Sequence, residues 1–238
     1  MKNLKATLIV LTGSFLIAAC GDDRFPDYRY KMTVYVGDKA FSSVREVSVS
    51  EVATIQDSSG KTLRYSLIGE AVVIDIPGQS PAFALLSKPD NADYGIGAAE
   101  GALRPVLTPE EKAAPDEREL YYQRLAAIKG PQTLPRTRPN PNIHRSDLPP
   151  IQLWPMFVRF GDIDDPKTVR EVSATELGVK RITFEITQED VTTGIEQRLG
   201  WLSSLRGAIV KTPPGKSMFD KPDVHRLAEG SFWTGAKQ

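Results

Sequence analysis

Two stretches of this chain say nearly the same thing. Met32–Val52 reads MTVYVGDKAFSSVREVSVSEV and Met156–Leu177 reads MFVRFGDIDDPKTVREVSATEL. Overlaid, the Met, a Val, the Gly-Asp pair, the Val-Arg-Glu-Val-Ser run and a following Glu coincide, with one extra residue in the second loop. Each copy alternates apolar and polar residues, breaks at Gly-Asp and resumes. A period of two belongs to a strand with one buried face, and turn residues between two such runs join them as a β-hairpin. A hairpin stated twice, at about residues 28–52 and 153–177, points to an antiparallel sheet or sandwich. At 238 residues the chain is long enough for one sizeable core or two small ones.

The remaining elements follow from local pattern. Tyr28, Tyr30, Met32, Val34 and Val36 share one strand face, with Arg29, Lys31 and Thr33 opposite. Thr62–Ile68 and Glu70–Ile76 read as strands around Gly69. Ala71-Val72-Val73-Ile74 is apolar on both faces, which places the second of these centrally in a sheet. Ala82–Leu86, Val179–Thr187 and Ile209-Val210 are further strands. Helix is expected within about 109–129. Thr108-Pro109-Glu110-Glu111 is a capped start, and Asp116–Lys129 puts Tyr121, Leu125 and Ile128 on one face before Gly130. A short helix begins near Ile195. Gly95, Gly97 and Gly101 leave Lys88–Pro105 open between a loop and a Gly-loosened helix. The late third glycine and Pro105 argue against a dinucleotide fingerprint there. The expected fold is therefore α+β and β-rich, with two similar hairpins and one or two helices.

Pro131–Pro150 holds six prolines and reads as a stiff connector without regular structure. Its Arg136, Arg138, His144 and Arg145 are candidates for docking a partner. The organisation expected is a segment over 1–19, a tether over 20–27, a β-rich half over 28–130, the connector over 131–150, and a second β-rich half with a packed tail over 151–238. Phe219, Leu227, Phe232 and Trp233 make that tail too apolar to hang free.

The first twenty residues carry the clearest functional signal. Lys2 and Lys5 precede an apolar run, Ala6–Ala19, that is shorter than the ~20 residues a membrane-spanning helix needs. It ends at Leu16-Ile17-Ala18-Ala19-Cys20, with Gly21-Asp22 after it. This resembles the lipobox of bacterial lipoproteins. The resemblance implies a signal peptide over 1–19, a diacylglycerol thioether on Cys20, and a bilayer partner held by several acyl chains. It also implies a cell-envelope location with the domain in the periplasm. Gly21 stands where an Asp would retain the protein at the inner membrane, which favours the outer membrane. Removing Lys2 and Lys5 leaves 28 cations against 30 anions, so nothing marks the body for nucleic acid.

No motif names a reaction or a cofactor. Asp162, Asp164 and Asp165 form the densest acid cluster and are the metal-ligand candidates, although Pro166 stands where a calcium loop needs glycine. Acids in such loops also cap turns. His144 and His225 lack zinc spacing or a neighbouring nucleophile. The repeated Arg45-Glu46 and Arg170-Glu171 pairs are expected to form cross-strand ion pairs, and Trp154 and Trp201 to pack. Phe160–Val169, in the form Phe-x-Asp-x-x-Asp-Pro-x-Thr-Val, and Thr192-Thr193-Gly194-Ile195-Glu196 are similar to stretches in proteobacterial proteins of unassigned activity. That resemblance implies a shared fold and no site. The reading that emerges is an envelope lipoprotein that binds an envelope protein or polymer. The alternative is an anchored hydrolase or metal-dependent enzyme using the loop at 162–165.

Overall fold

The computed structural model describes residues 24–54, 60–140, 149–211, 217 and 223–235. The expectations placed on Cys20, His144, Arg145 and Phe219 lie outside the described residues. The chain runs β1 (Tyr28–Val36), β2 (Lys39–Ala53), β3 (Lys61–Glu70), β4 (Val72–Ile74) and β5 (Ala82–Ala84). Helices α1 (Tyr94–Ala102), α2 (Pro109–Lys112) and α3 (Glu117–Ala126) follow. Then come β6 (Gln132–Thr133), β7 (Thr137–Arg138), β8 (Ile151–Gln152), β9 (Phe157–Phe160), β10 (Val169–Val172), β11 (Val179–Thr187), α4 (Ile195–Arg198) and β12 (Trp233–Thr234). The fold is α+β and β-rich, with antiparallel sheets.

A six-stranded sheet has the order β12-β3-β2-β1-β11-β6, and a four-stranded sheet has the order β10-β9-β5-β4. Strands β7 and β8 form a separate ribbon. Both larger sheets mix strands from before and after the Pro-rich stretch, so neither half closes a sheet by itself.

The period of two explains how the layers stack. From the large sheet, Tyr30, Met32, Val34, Val47, Ile182 and Phe184 point inward. They meet Val72, Ile74, Ala82, Ala84, Phe157 and Val172 from one face of the small sheet. The opposite face of the small sheet carries Phe83, Leu85, Val158, Phe160 and Val169. It is covered by Ile195, Leu199, Leu202, Leu227 and Phe232 from the C-terminal segment. The small sheet is thus a middle layer, which is why β4 and β5 read as continuous apolar runs. Each such aromatic or aliphatic side chain contributes about 1.5–3 kcal/mol by leaving water.

Several expectations change in this light. Both hairpins form, but β1–β2 lies in the large sheet and β9–β10 in the small one. The second has four-residue arms, and its loop carries a 3-10 turn at Pro166–Thr168. β4 is an edge strand rather than a central one. Its apolar faces are explained by a layer above and a layer below, not by strands on both sides. Ile209-Val210 forms no strand; Ile209 is buried under the tail, and only an isolated bridge joins Ala208 to Ala228. The Gly-rich stretch is helix α1. The Pro-rich stretch does hold regular structure, because Gln132–Thr133 adds to β11 and Thr137–Arg138 pairs with β8. Val224, Leu227 and Phe232 are buried, so the tail is part of the core.

Candidate functional site

The site with the most chemistry lies between α3 and β3. Helix α2 is started by a reciprocal cap, in which the Glu111 amide donates to the Thr108 hydroxyl and Glu111 Oε2 accepts from the Thr108 amide at 2.8 Å. Glu111 Oε1 also pairs with Arg124 of α3 at 2.5 Å, tying the two helices together. Acids Glu117 and Glu119 in the first turn of α3 complement its dipole. Helix α3 then turns Tyr122 and Leu125 into the core and leaves Tyr121 half-buried. Between α3 and β3 lies a groove of about 410 Å³, lined by Thr62, Tyr65, Glu117, Arg118, Tyr121 and Tyr122.

A hydrogen-bond chain runs inward from this groove. The Tyr65 and Tyr122 hydroxyls are 2.9 Å apart, and Tyr122 lies 2.8 Å from Glu100 Oε1 on α1. A phenol has one hydrogen, so Tyr122 donates to the Glu100 carboxylate and accepts from Tyr65. Burial pushes the Glu100 carboxyl above the usual carboxylate range, against the Tyr122 hydrogen bond. Burial likewise pushes the Tyr122 phenol up, reinforced by Tyr65 and Glu100. Behind it, the Tyr28 hydroxyl is buried and bonds to no atom among the described residues; burial and then Glu100 raise its pKa. Tyr65, 39% exposed, carries this chain to solvent. The arrangement can hold a polar ligand by hydroxyl hydrogen bonds while offering ring faces to its apolar side.

The first described residues border this groove. Phe25 packs edge-on against Tyr122 at 6.0 Å, and Arg24 lies 3.5 Å from Glu51 and 3.7 Å from Glu119. The chain therefore enters the body beside the tyrosines.

The described residues among those singled out from sequence fall elsewhere. Asp162 Oδ1 accepts the Asp164 amide and Asp165 Oδ1 accepts the Lys167 amide, each at 3.0 Å, while Thr168 Oγ1 closes the loop on the carbonyls of Asp162 and Asp165. Two of the three carboxylates are engaged in turn formation. Among the described residues no three His, Cys, Asp or Glu side chains gather as a metal site requires. Arg136 stacks 5.5 Å from the Trp154 ring in a second cleft of about 240 Å³. That cleft also holds Lys88, whose Nζ donates to the Gln152 carbonyl at 3.0 Å and sits 4.6 Å above the Tyr94 ring. Burial lowers the Lys88 pKa. Arg138 is exposed on β7. Trp154 and Trp201 both pack, their indole N–H groups donating to the carbonyls of Leu134 and Ile163.

The repeated Arg-Glu pair separates in role. Glu46 sits opposite Arg29 and pairs with it at 2.7 Å, as expected across strands. Arg45 forms no ion pair among the described residues; it is fully buried beside Tyr30. Arg170 lies opposite Arg159 and finds Glu176, in the turn that follows, at 3.1 Å. The Thr192–Glu196 stretch forms a strap. Thr192 exchanges two hydrogen bonds with Val44, and the buried Glu70 carboxylate accepts the amides of Gly194 and Ile195 at 2.7 and 3.0 Å.

No protein-family model, curated protein or solved structure matches this chain. The site therefore rests on its own geometry. Sequence reasoning saw Tyr121 only as a helix-face residue and never joined it to Tyr65. The signal present was the Tyr121-Tyr122 pair at a helix position where only one of two adjacent side chains can face the core.

Proposed function

We propose that this chain is an envelope-anchored binding protein, held to the membrane by acyl chains on Cys20 and presenting the tyrosine groove to another envelope component. The observation that carries the reading is the Tyr65–Tyr122–Glu100 hydrogen-bond chain opening into a solvent-facing groove. Oriented hydroxyls beside ring faces in a concavity are what a binding site needs. The lipobox-like Leu16–Cys20 supports the anchor. Three residues lie between Cys20 and Arg24, so the four steps reach at most about 14 Å. An anchor there holds the groove close to the bilayer surface.

Two measurements test this. Cells expressing the wild type and Cys20→Ser are fractionated, and the wild type is weighed intact. The expected result is an acylated, membrane-bound wild type and a soluble variant. A photo-crosslinking residue in place of Glu117, on the groove rim, is expected to capture an envelope component, and the added Tyr65→Ala change to abolish the capture. A soluble, unacylated wild type removes the anchor. Absence of any adduct, with the variant folded, removes the binding role.

A further inference from the structure

The chemistry of the groove narrows the ligand class. We infer that the Tyr65–Tyr121–Tyr122 groove binds a neutral sugar residue. This rests on the groove being the recognition site proposed above.

The lining argues by elimination. Glu117 lines the groove and Glu100 lies behind Tyr122, so two carboxylates stand near the space, which disfavours an anionic ligand. Arg118 lines the same space and disfavours a cation. A purely hydrocarbon ligand would strip water from the Tyr65 hydroxyl, the Thr62 side chain and both charged rim groups without replacing their hydrogen bonds, which is unfavourable. What remains is a neutral, hydroxyl-rich molecule with an apolar face.

A sugar ring has that shape. Its axial C–H groups lie against an aromatic face, and its hydroxyls act as donor and acceptor together. Tyr65, exposed and tilted 49° to the Tyr122 ring, and Tyr121, half-buried and edge-on to Tyr122 at 5.2 Å, supply two rings. Because Tyr122 is fixed as donor to Glu100, its oxygen faces Tyr65 as an acceptor. A ligand hydroxyl that takes over that acceptor releases the Tyr65 O–H to donate outward. The Glu100 carboxylate thus sets the polarity of the whole chain, and Tyr65 is the group that switches partner. The volume, about 410 Å³, lies at the small end of ligand pockets and admits a short stretch of a chain rather than a folded partner.

The test uses the full chain carrying Cys20→Ser, titrated with chitotetraose while tyrosine fluorescence is followed. A second arm uses sedimentation with vesicles containing a neutral galactolipid. Saturable chitotetraose binding is expected to weaken about tenfold in Tyr65→Ala and in Tyr121→Ala. Tyr65→Phe is expected to keep ring contact and lose only the part due to its hydroxyl. Binding to galactolipid vesicles alone assigns the sugar to a lipid headgroup. Binding to neither probe, with circular dichroism showing folded protein, overturns the inference. If the Glu117 crosslink still forms in cells, only the ligand class fails and the binding role stands.

Discussion

Arg45 Nε donates at 3.1 Å to the main-chain oxygen of Glu70, and the two buried, oppositely charged side chains form no ion pair. Each charge is handled separately. Glu70 turns its carboxylate to the strap amides of Gly194 and Ile195. Arg45 gives its Nε to Ser43 and to the Glu70 carbonyl, lies 6.0 Å from the Tyr30 ring centroid, and leaves Nη1 and Nη2 without an acceptor of hydrogen-bond geometry among the described residues. A buried cation lacking a carboxylate is costly, and its aliphatic stem supplies the packing.

Replacing Arg45 with Met keeps that stem and removes the charge. The variant is expected to match the wild type or exceed it by about 1–4 kcal/mol in urea unfolding. Arg45→Ala, which leaves a void, is expected to lose about 2–5 kcal/mol. If Arg45→Met loses as much as Arg45→Ala, the guanidinium has a strong partner in solution and its charge is a net stabiliser.

Helix α1 holds glycines of two kinds. A Cβ on Gly95 would lie 2.7 Å from Leu67 Cδ2 and 3.0 Å from the Leu86 carbonyl, whereas Gly97 and Gly101 have nothing within 4 Å. Gly95→Ala is expected to destabilise by about 1–3 kcal/mol through overpacking. Gly97→Ala and Gly101→Ala are each expected to stabilise by about 0.5–1 kcal/mol through helix propensity. Thermal unfolding of the three variants separates the cases. A uniform sign across them would refute the contrast.

Glu100 gives the protein a pH dependence of definite sign. Its folded-state pKa is raised above the ordinary 4.5, chiefly by burial. The folded state therefore holds the proton more tightly than the unfolded chain, and the associated stability is complete below pH 4.5 and declines as pH rises through the folded value. Glu70 is raised for the same leading reason and contributes with the same sign. Glu100→Gln, which still accepts from Tyr122, is expected to be more stable than the wild type near neutral pH and to lose that advantage in acid. An advantage that instead grows toward acid would contradict the raised pKa.

The acidic loop is expected to behave as a turn. Asp162→Ala and Asp165→Ala each remove an acceptor for a backbone amide and should cost about 0.5–2 kcal/mol. Asp164→Ala should be nearly silent. Calcium is expected to leave the melting temperature unchanged. A calcium-dependent rise that disappears when all three are Asn would favour the metal-dependent reading.

Much of the local structure was legible because it depends on neighbours in sequence. The alternation from Tyr28 to Val36, the Thr108–Glu111 cap and the apolar set Val179, Ile182, Phe184 and Ile186 marked a strand, a helix start and a strand. Local pattern could not say which sheet a hairpin joins. The Val-Arg-Glu-Val run occurs twice, yet Arg45 is buried on an interior strand and Arg170 is exposed on an edge strand. The difference lies in what packs above each strand, which no local pattern contains.

The same limit explains the site. The tyrosine groove joins residues from β3, α1 and α3, including Tyr65 and Tyr122, which are 57 positions apart. Cross-chain hydrogen bonds of this kind form only once the sheet and the helices have packed. The amino-acid order by itself determined the long strands, the capped helix start and the near-balance of charge, and it carries the lipobox-like stretch Leu16–Cys20. Tertiary packing alone decided that the small sheet is a middle layer, that the Asp162–Asp165 loop is a turn, and that three tyrosines and Glu100 meet, because each depends on surfaces brought together from distant parts of the chain.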